Sequence, residues 1–235
     1  EFAANITNYS VYARVSPEHK VRIVKAWQQA GKVVAMTGDG VNDAPSLKQA
    51  DIGIGMGITG TEVSKGASDM VLADDNFATI VVAVEEGRKV FSNIQKAIQF
   101  LMAANLGEVL VLFIATLLGW DTLLPIHLLW INLVTDTFPA IALGMEPAEG
   151  NLMARKPRGK NSNFFSGGVM SSIIYQGILE GVTVLFVYWS AIKWPAHTAL
   201  NRVGLTATEL YDLQHADALT MAFATLGLMQ LFHAF

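Results

Sequence analysis

The sequence predicts a partial α/β, Rossmann-like domain followed by an α-helical transmembrane bundle. Three observations carry that expectation: a charge density that drops near residue 100, short strand and helix patterns that alternate before it, and long runs almost free of charge after it. Residues 1–99 hold 10 Lys and Arg and 11 Asp and Glu, whereas the longer stretch 100–235 holds 6 and 9. The overall 15% charged content therefore averages two unlike regions, against about 25% in an ordinary soluble domain. The absence of cysteine removes thiolate metal sites, iron–sulfur clusters and a disulfide framework. A net charge of −4 argues against nucleic acid as a partner, because phosphate-backbone binding rests on clustered Lys and Arg.

In the first region Val11–Val15 reads as a strand, Pro17–Ala30 as a helix with Ser16 as N-cap and Pro in its first turn, and Lys32–Met36 as a strand. Ala44–Gln49 reads as a short helix, and Ile52–Met56 and Met70–Ala73 as further strands. Strands separated by helices imply a parallel sheet, and such sheets bind ligands at the carboxyl ends of their strands. That places Thr37-Gly38-Asp39-Gly40-Val41-Asn42-Asp43 where a site is expected. Its glycines permit a tight turn, and two carboxylates with an amide between them suit a hard cation such as Mg²⁺ and a phosphate, although a bare turn would use the same residues. Gly55-Met56-Gly57-Ile58-Thr59-Gly60 fits the glycine pattern of a dinucleotide site, but the acidic residue of a complete βαβ unit is lacking, so that reading is set aside.

Phe100–Gly119 is a run whose one charge is Glu108, long enough as a helix to cross a hydrocarbon core of about 30 Å. Leu123–Gly144 carries only Asp136, Gly167–Ile192 only Glu180, and Ala216–Phe235 reads as a fourth, truncated span. The chain starts at Glu1 without an initiator methionine, and its last run ends without a polar flank, so it reads as a fragment of a longer polypeptide. Loop 145–165 holds Arg155, Lys156, Arg158 and Lys160, whereas 193–215 holds Lys193 and Arg202; the basic loop is expected on the cytoplasmic side. A tight turn at Trp120-Asp121-Thr122 joins the first two spans, which places residues 1–99 on that side too. Trp120, Trp130, Tyr188, Trp189 and Trp194 read mostly as an interfacial belt.

Ionisable groups inside a span are costly and therefore functional candidates. Asn105 and Glu108 share a helical face, as do Asn132, Thr135 and Asp136. Together they offer only oxygen donors of the kind a hard cation such as Ca²⁺ prefers, and Pro139 can free a backbone carbonyl beside them. The competing reading is polar glue between helices. His127 reads as packed or interfacial, Glu180 as bundle-facing or snorkelling without an assigned role, and His233 as uninformative.

Several strings together carry a resemblance: Arg14-Val15-Ser16-Pro17-Glu18-His19-Lys20, the Thr37–Asp43 string with Ala44-Pro45, Ala50-Asp51-Ile52-Gly53-Ile54-Gly55-Met56-Gly57, and Met70-Val71-Leu72-Ala73-Asp74-Asp75-Asn76-Phe77. They resemble the phosphorylation domain of P-type ATPases, a branch of the haloacid dehalogenase superfamily. Asn105-Leu106-Gly107-Glu108-Val109 and Leu129–Asp136 resemble the fifth and sixth transmembrane helices of type II calcium pumps. The resemblance implies a carboxyl-terminal fragment, with 1–79 ending the phosphorylation domain, 80–99 a stalk helix, and spans at 100–119, 123–144, 167–192 and 216–235. It implies catalytic roles for Lys20, Asp39, Asn42 and Asp43: a fixed positive charge from Lys20, Mg²⁺ held by Asp39, a phosphate hydrogen bond from Asn42, support for metal and loop from Asp43. Arg14 matches a nucleotide-contact position.

Asn105, Glu108, Asn132, Thr135 and Asp136 fall on the transported-cation ligands. Gln230 stands where reticulum-type pumps have an acid; plasma-membrane-type pumps, which carry one ion, have Gln there, whereas the retained Glu108 points towards two. The implied whole is an ATP-driven Ca²⁺ pump of the plasma membrane, with ATP as substrate and Mg²⁺ as cofactor. Mn²⁺ or Na⁺ transport, or a membrane-anchored phosphatase of the same superfamily, are the alternatives. The family's nucleophile lies in an Asp-Lys-Thr-Gly-Thr string that this chain lacks, so the chain by itself is expected to be inactive. Its expected partners are membrane lipid and the missing amino-terminal portion; no partner protein is implied. Unbroken helical periodicity from Asn76 into the first span implies one helix carrying movement of the Asp39 loop to Asn105 and Glu108.

Overall fold

Ser16 does cap the first helix, its Oγ accepting from His19 N, and Pro17 opens it, so α1 runs Pro17–Gln29. The computed structural model describes residues 3–159, 163–193 and 206–234. The chain divides into two units, Glu1–Gly87 with Asn151–Ser162 and Arg88–Gly150 with Asn163–Phe235.

In the first unit β1 (Ala35–Gly38), α2 (Ala44–Gln49), β2 (Ile52–Met56), α3 (Glu62–Ala67) and β3 (Met70–Leu72) alternate in the chain. The strands form a parallel sheet in the order β1-β2-β3, with Thr37 opposite Ile54 and Gly55 opposite Val71. Ile54, Met56 and Leu72 make its core, with Met70 and Ile80 against them. At Gly53 an added Cβ would lie 2.7 Å from Leu47 O, so glycine is what lets β2 lie directly under α2.

Two strand expectations are corrected. Val11–Val15 is not a strand: Val11 is 82% exposed, Arg14 turns left-handed at φ +54, and Tyr12 Oη donates locally to Ile6 O and Tyr9 O. The strand read at Lys32–Met36 is displaced to Ala35–Gly38, because Val34 is occupied by Asp51, whose Oδ2 accepts from Val34 N while its own N–H donates to Val34 O. Helix α3 was not anticipated; Thr61 caps it by accepting from Ser64 N.

Helix α4 runs unbroken over Phe77–Leu118. Its 42 residues span about 63 Å at 1.5 Å per residue, twice a hydrocarbon core. It stops at Gly119 (φ +67), where Trp120 N donates to Ala115 O, a closure that needs a left-handed residue. Asn93, buried at 4%, donates to Gly144 O and Glu146 O, Lys96 pairs with Glu146 and Glu149, and Phe91 stacks on Phe164 at 4.7 Å. The run read as one span at Leu123–Gly144 is α5 (Pro125–Trp130), a wide π-type turn at Ile131–Thr135 and α6 (Thr137–Gly144). In the wide turn Asp136 N reaches back to Ile131 O, and Pro139 lacks the N–H that Thr135 O would ordinarily receive.

Helix α7 (Val169–Lys193) approaches α4 through small residues: Gly177 faces Leu106, and Gly181 faces Leu110 and Gly107 O. With α8 (Ala207–His233) it encloses a core that includes Val111, Val184, Tyr188, Ala222 and Leu226. Three described helices, Phe77–Leu118, Pro125–Gly144 and Val169–Lys193, are long and apolar enough to cross a membrane. The chain is a membrane protein on that ground and on its relatives, given below. Helix α8, read as a fourth span, is not among the three; Asp217, Gln230 and His233 dilute its apolar run. Tyr188 is 1% exposed and packs on Trp120, a core position rather than a belt, and Trp130 stands beside the wide turn instead of at a span end. Lys160, Trp194, Arg202 and most of loop 193–215 lie outside the described residues.

Candidate functional site

The first site opens at the carboxyl end of β1, as a parallel sheet requires. A cavity of about 490 Å³ is lined by Lys20, Thr37, Asp39, Asp43, Thr59 and Asp75, among others. Asp43 organises it. The residue is 5% exposed, its Oδ1 takes Lys20 Nζ at 2.5 Å, and its Oδ2 accepts from Asp39 N at 3.3 Å and Gly40 N at 3.2 Å. Burial pushes its carboxyl up, but the Lys20 ammonium and the two N–H groups outweigh that and hold it below the usual carboxylate range. Gly38 is required by the same contact, since a Cβ there would meet Asp43 Cβ at 2.4 Å.

Asp39 is exposed to the cavity, and no protein donor among the described residues takes its carboxylate; its carbonyl is fixed by Thr61 N and Ser64 Oγ. That leaves the Asp39 carboxylate without a protein donor in a cavity that also holds a fixed ammonium, an arrangement suited to a divalent cation and phosphate oxygens. Asn42 and Arg14 are exposed and lie outside the cavity lining. The structure adds Thr37, Thr59 and Asp75. Asp75, in the left-handed region at φ +50, accepts from Ile58 N, Thr59 N and Thr59 Oγ1. The Ile58 N–H, ahead of the opposing burial and then Thr59, holds its pKa down to about 2. Thr37 and Asp75 stood inside the quoted strings, but spacing alone gave no sign that they would line one cavity.

The second site lies among the spans. Glu108 is 5% exposed, with Oε2 accepting from Asn132 Nδ2 at 2.9 Å and Oε1 from Gln230 Nε2 at 3.3 Å. Asp136 is 2% exposed and neither carboxylate oxygen has a partner; the same holds for Gln230 Oε1 and Glu180 Oε1. Buried acceptors without donors are costly and call for a cation or proton. Thr135 Oγ1 donates to Ile131 O, and a Cβ added at Gly227 of α8 would lie 3.8 Å from its methyl.

The structure thus brings together Glu108, Asn132 and Gln230 by hydrogen bonds. Asn105 is left out: it is exposed, and its amide donates to Leu101 O on its own helix. Among the described residues no three or more acidic or His side chains are gathered closely enough to hold a metal ion. His127 accepts from Leu124 N and packs on Phe223 at 4.8 Å, in keeping with a packed residue. Glu180 is bundle-facing at 3% exposure.

Comparison with known proteins finds a match at each end of the chain. Residues 121–235 match the family model for the carboxyl-terminal region of cation-transporting ATPases, and residues 1–51 match that for haloacid dehalogenase-like hydrolases. A superfamily hydrolase loop at the end of a parallel sheet, followed by spans with buried carboxylates, is the build of the P-type cation-transporting ATPases, and the chain belongs to that family. Its similarity within the family is to calcium-transporting members. It is 51% identical over its whole length to calcium-transporting ATPase 1 of Bacillus cereus and 48% identical to the calcium-transporting ATPase of Bacillus subtilis, covering 26% and 25% of those proteins. Over 79% of the chain it is 54% identical to the calcium-transporting ATPase lmo0841 of Listeria monocytogenes, covering 21% of that protein. The chain spans about a quarter of the length of the curated relatives it matches.

Proposed function

We propose that this chain is the carboxyl-terminal part of an ATP-driven Ca²⁺ pump working through an aspartyl phosphate formed on a residue outside the chain. The observation that carries the reading is the pair of partnerless Asp136 oxygens together with a buried, doubly hydrogen-bonded Glu108, in spans entered by the helix that follows the sheet whose β1 loop carries Asp39 and Asp43.

In the phosphorylation domain Asp43 holds Lys20 where its ammonium neutralises phosphoryl oxygens, and Asp39 would hold Mg²⁺, which supplies charge neutralisation at the transferring group. Asp43 also stiffens the turn through the Asp39 and Gly40 N–H groups, so it positions the metal residue without needing to ligate the metal. Asn42 and Arg14, outside the cavity here, are assigned phosphate and nucleotide contact on resemblance only. In the spans Glu108, Asn132, Thr135 and Asp136 are the transported-cation ligands, with Asn105 joining only if its side chain leaves Leu101 O.

Gln230 occupies one Glu108 oxygen and brings no charge, which favours one ion per cycle over two. The basic loop and residues 1–99 are cytoplasmic, residues 216–235 form a fourth span, and the membrane is the plasma membrane. Relatives named for calcium transport support the ion assignment. An anchored phosphatase would leave the partnerless span acids without a use.

The test is phosphoenzyme formation from [γ-³²P]ATP by the full-length protein containing this chain, titrated with Ca²⁺ in wild type and Asp136→Asn. Ca²⁺-dependent phosphorylation that Asp136→Asn abolishes is expected. Phosphorylation that neither needs the ion nor responds to the substitution sinks the pump reading. Two glycines inserted after Val90 in α4 should leave ATP hydrolysis measurable but detach it from transport; unchanged coupling would remove α4 from the mechanism.

A further inference from the structure

Glu180 has no role in the reading above, yet it is the third acid buried among the spans. It sits midway along α7, 3% exposed, with Oε1 lacking any partner. Its carboxylate lies against Gly107: a Cβ on that residue would be 2.9 Å from Glu180 Oε2 and 3.0 Å from Cδ. Glycine at 107 therefore opens the surface of α4 to this carboxylate one residue before Glu108.

No Lys or Arg occurs between residues 97 and 154 or between 161 and 192, so these spans supply no side-chain cation of that kind to offset it. Gln230, meanwhile, is neutral at the same centre, with an orphaned Oε1. A buried carboxylate without a protein counter-ion is balanced either by a proton or by a cation that enters the site.

We propose that Glu180 is a further acidic residue of the transported-cation site, raising its affinity for a divalent cation by charge where Gln230 supplies none. This rests on the assignment of Glu108 and Asp136 as ligands. Glu180 acts on the ion through the field it adds and through its seat on Gly107; Glu108 and Asp136 touch the ion.

The experiment uses the full-length protein in membranes and reads the Ca²⁺ concentration for half-maximal phosphoenzyme formation from ATP. Glu180→Gln, which keeps shape and removes charge, should raise it by at least about tenfold, the low end for one unit charge several ångströms from a divalent ion in a medium of intermediate dielectric. Glu180→Asp, which keeps the charge, should recover most of that loss. A Gln variant whose titration overlays the wild type overturns the proposal, and so does an Asp variant as impaired as Gln, which would mean that shape and not charge matters.

Should Glu180→Gln fail to accumulate, wild-type protein can be treated with a hydrophobic carbodiimide and Glu180 modification quantified by mass spectrometry. Protection by Ca²⁺ is expected; equal labelling with and without Ca²⁺ overturns the proposal. A wild type that forms no Ca²⁺-dependent phosphoenzyme overturns the pump reading itself, and this inference with it.

Discussion

The seam between α4 and α7 makes a sharp prediction about a single methyl group. At Gly177 an added Cβ would meet Leu106 Cγ at 2.8 Å and Leu106 Cβ and Cδ2 at 2.9 Å, whereas ordinary contact begins at 3.4 Å. Gly177→Ala must therefore displace Leu106 or part the helices by about half an ångström, which overpacking places at about 1–3 kcal/mol. Alanine's better helix propensity returns up to about 1 kcal/mol. The expected net loss is about 1–2 kcal/mol, or about 2–8 °C in Tm for a chain of this size.

Gly87 is the internal control. It also lies within a helix, yet nothing stands within 4 Å of its added Cβ, so Gly87→Ala should be neutral or stabilising by up to about 1 kcal/mol. Thermal unfolding of detergent-solubilised chain, followed by tryptophan fluorescence, distinguishes the two. If Gly177→Ala melts with the wild type, or Gly87→Ala loses as much, close packing through glycine is not what holds α7 to α4.

Two further outcomes concern the first unit. Because the pKa of Asp75 falls to about 2 on folding, below the ordinary 3.8, its hold on Ile58 and Thr59 is fully present above about pH 4 and is lost as pH falls through 2; Asp75→Asn should flatten the acid limb of the unfolding curve between those values, and an unchanged limb would show that other carboxylates set it. Lys20→Met leaves Asp43 buried without its cation, costing about 1.5 kcal/mol at the low end for a charged hydrogen bond because Lys20 is partly exposed, and should abolish phosphoenzyme formation in the full-length protein; retained phosphorylation would dismiss Lys20 from the site.

What the sequence revealed depended on how local its cause was. The bounds of Ala44–Gln49 and Ile52–Met56 were readable because a proline-led helix and a β-branched run bounded by Gly and Asp state them within a few residues. Val11–Val15 has strand composition, but a strand also needs a partner edge, which composition does not supply. The wide turn before Asp136 left only Pro139 as a trace. Helical spacing put Asn105 with Glu108, yet the face that turns inward is chosen by the neighbouring helix, and Asn105 turned to its own backbone instead. Glu180 was visible as an acid in a span; its seat on Gly107 was not, because two positions more than seventy residues apart define it. The Asp43–Lys20 pair joins residues of two separate strings, a contact that neither string states by itself.

The wide turn at Ile131–Thr135 amounts to one residue more than an α-helical turn would hold. Everything after it, from Asp136 to the buried Leu143, is consequently rotated by about 100° from where an unbroken helix would put it. Length and orientation are thereby uncoupled. Removing one residue inside the turn should let the ladder close as plain α-helix with Leu143 still facing inward, while the same deletion in α5 or α6 would swing the later residues off their face. The turn thus works as slack in the helix, taken up where the carboxylate of Asp136 has to be aimed.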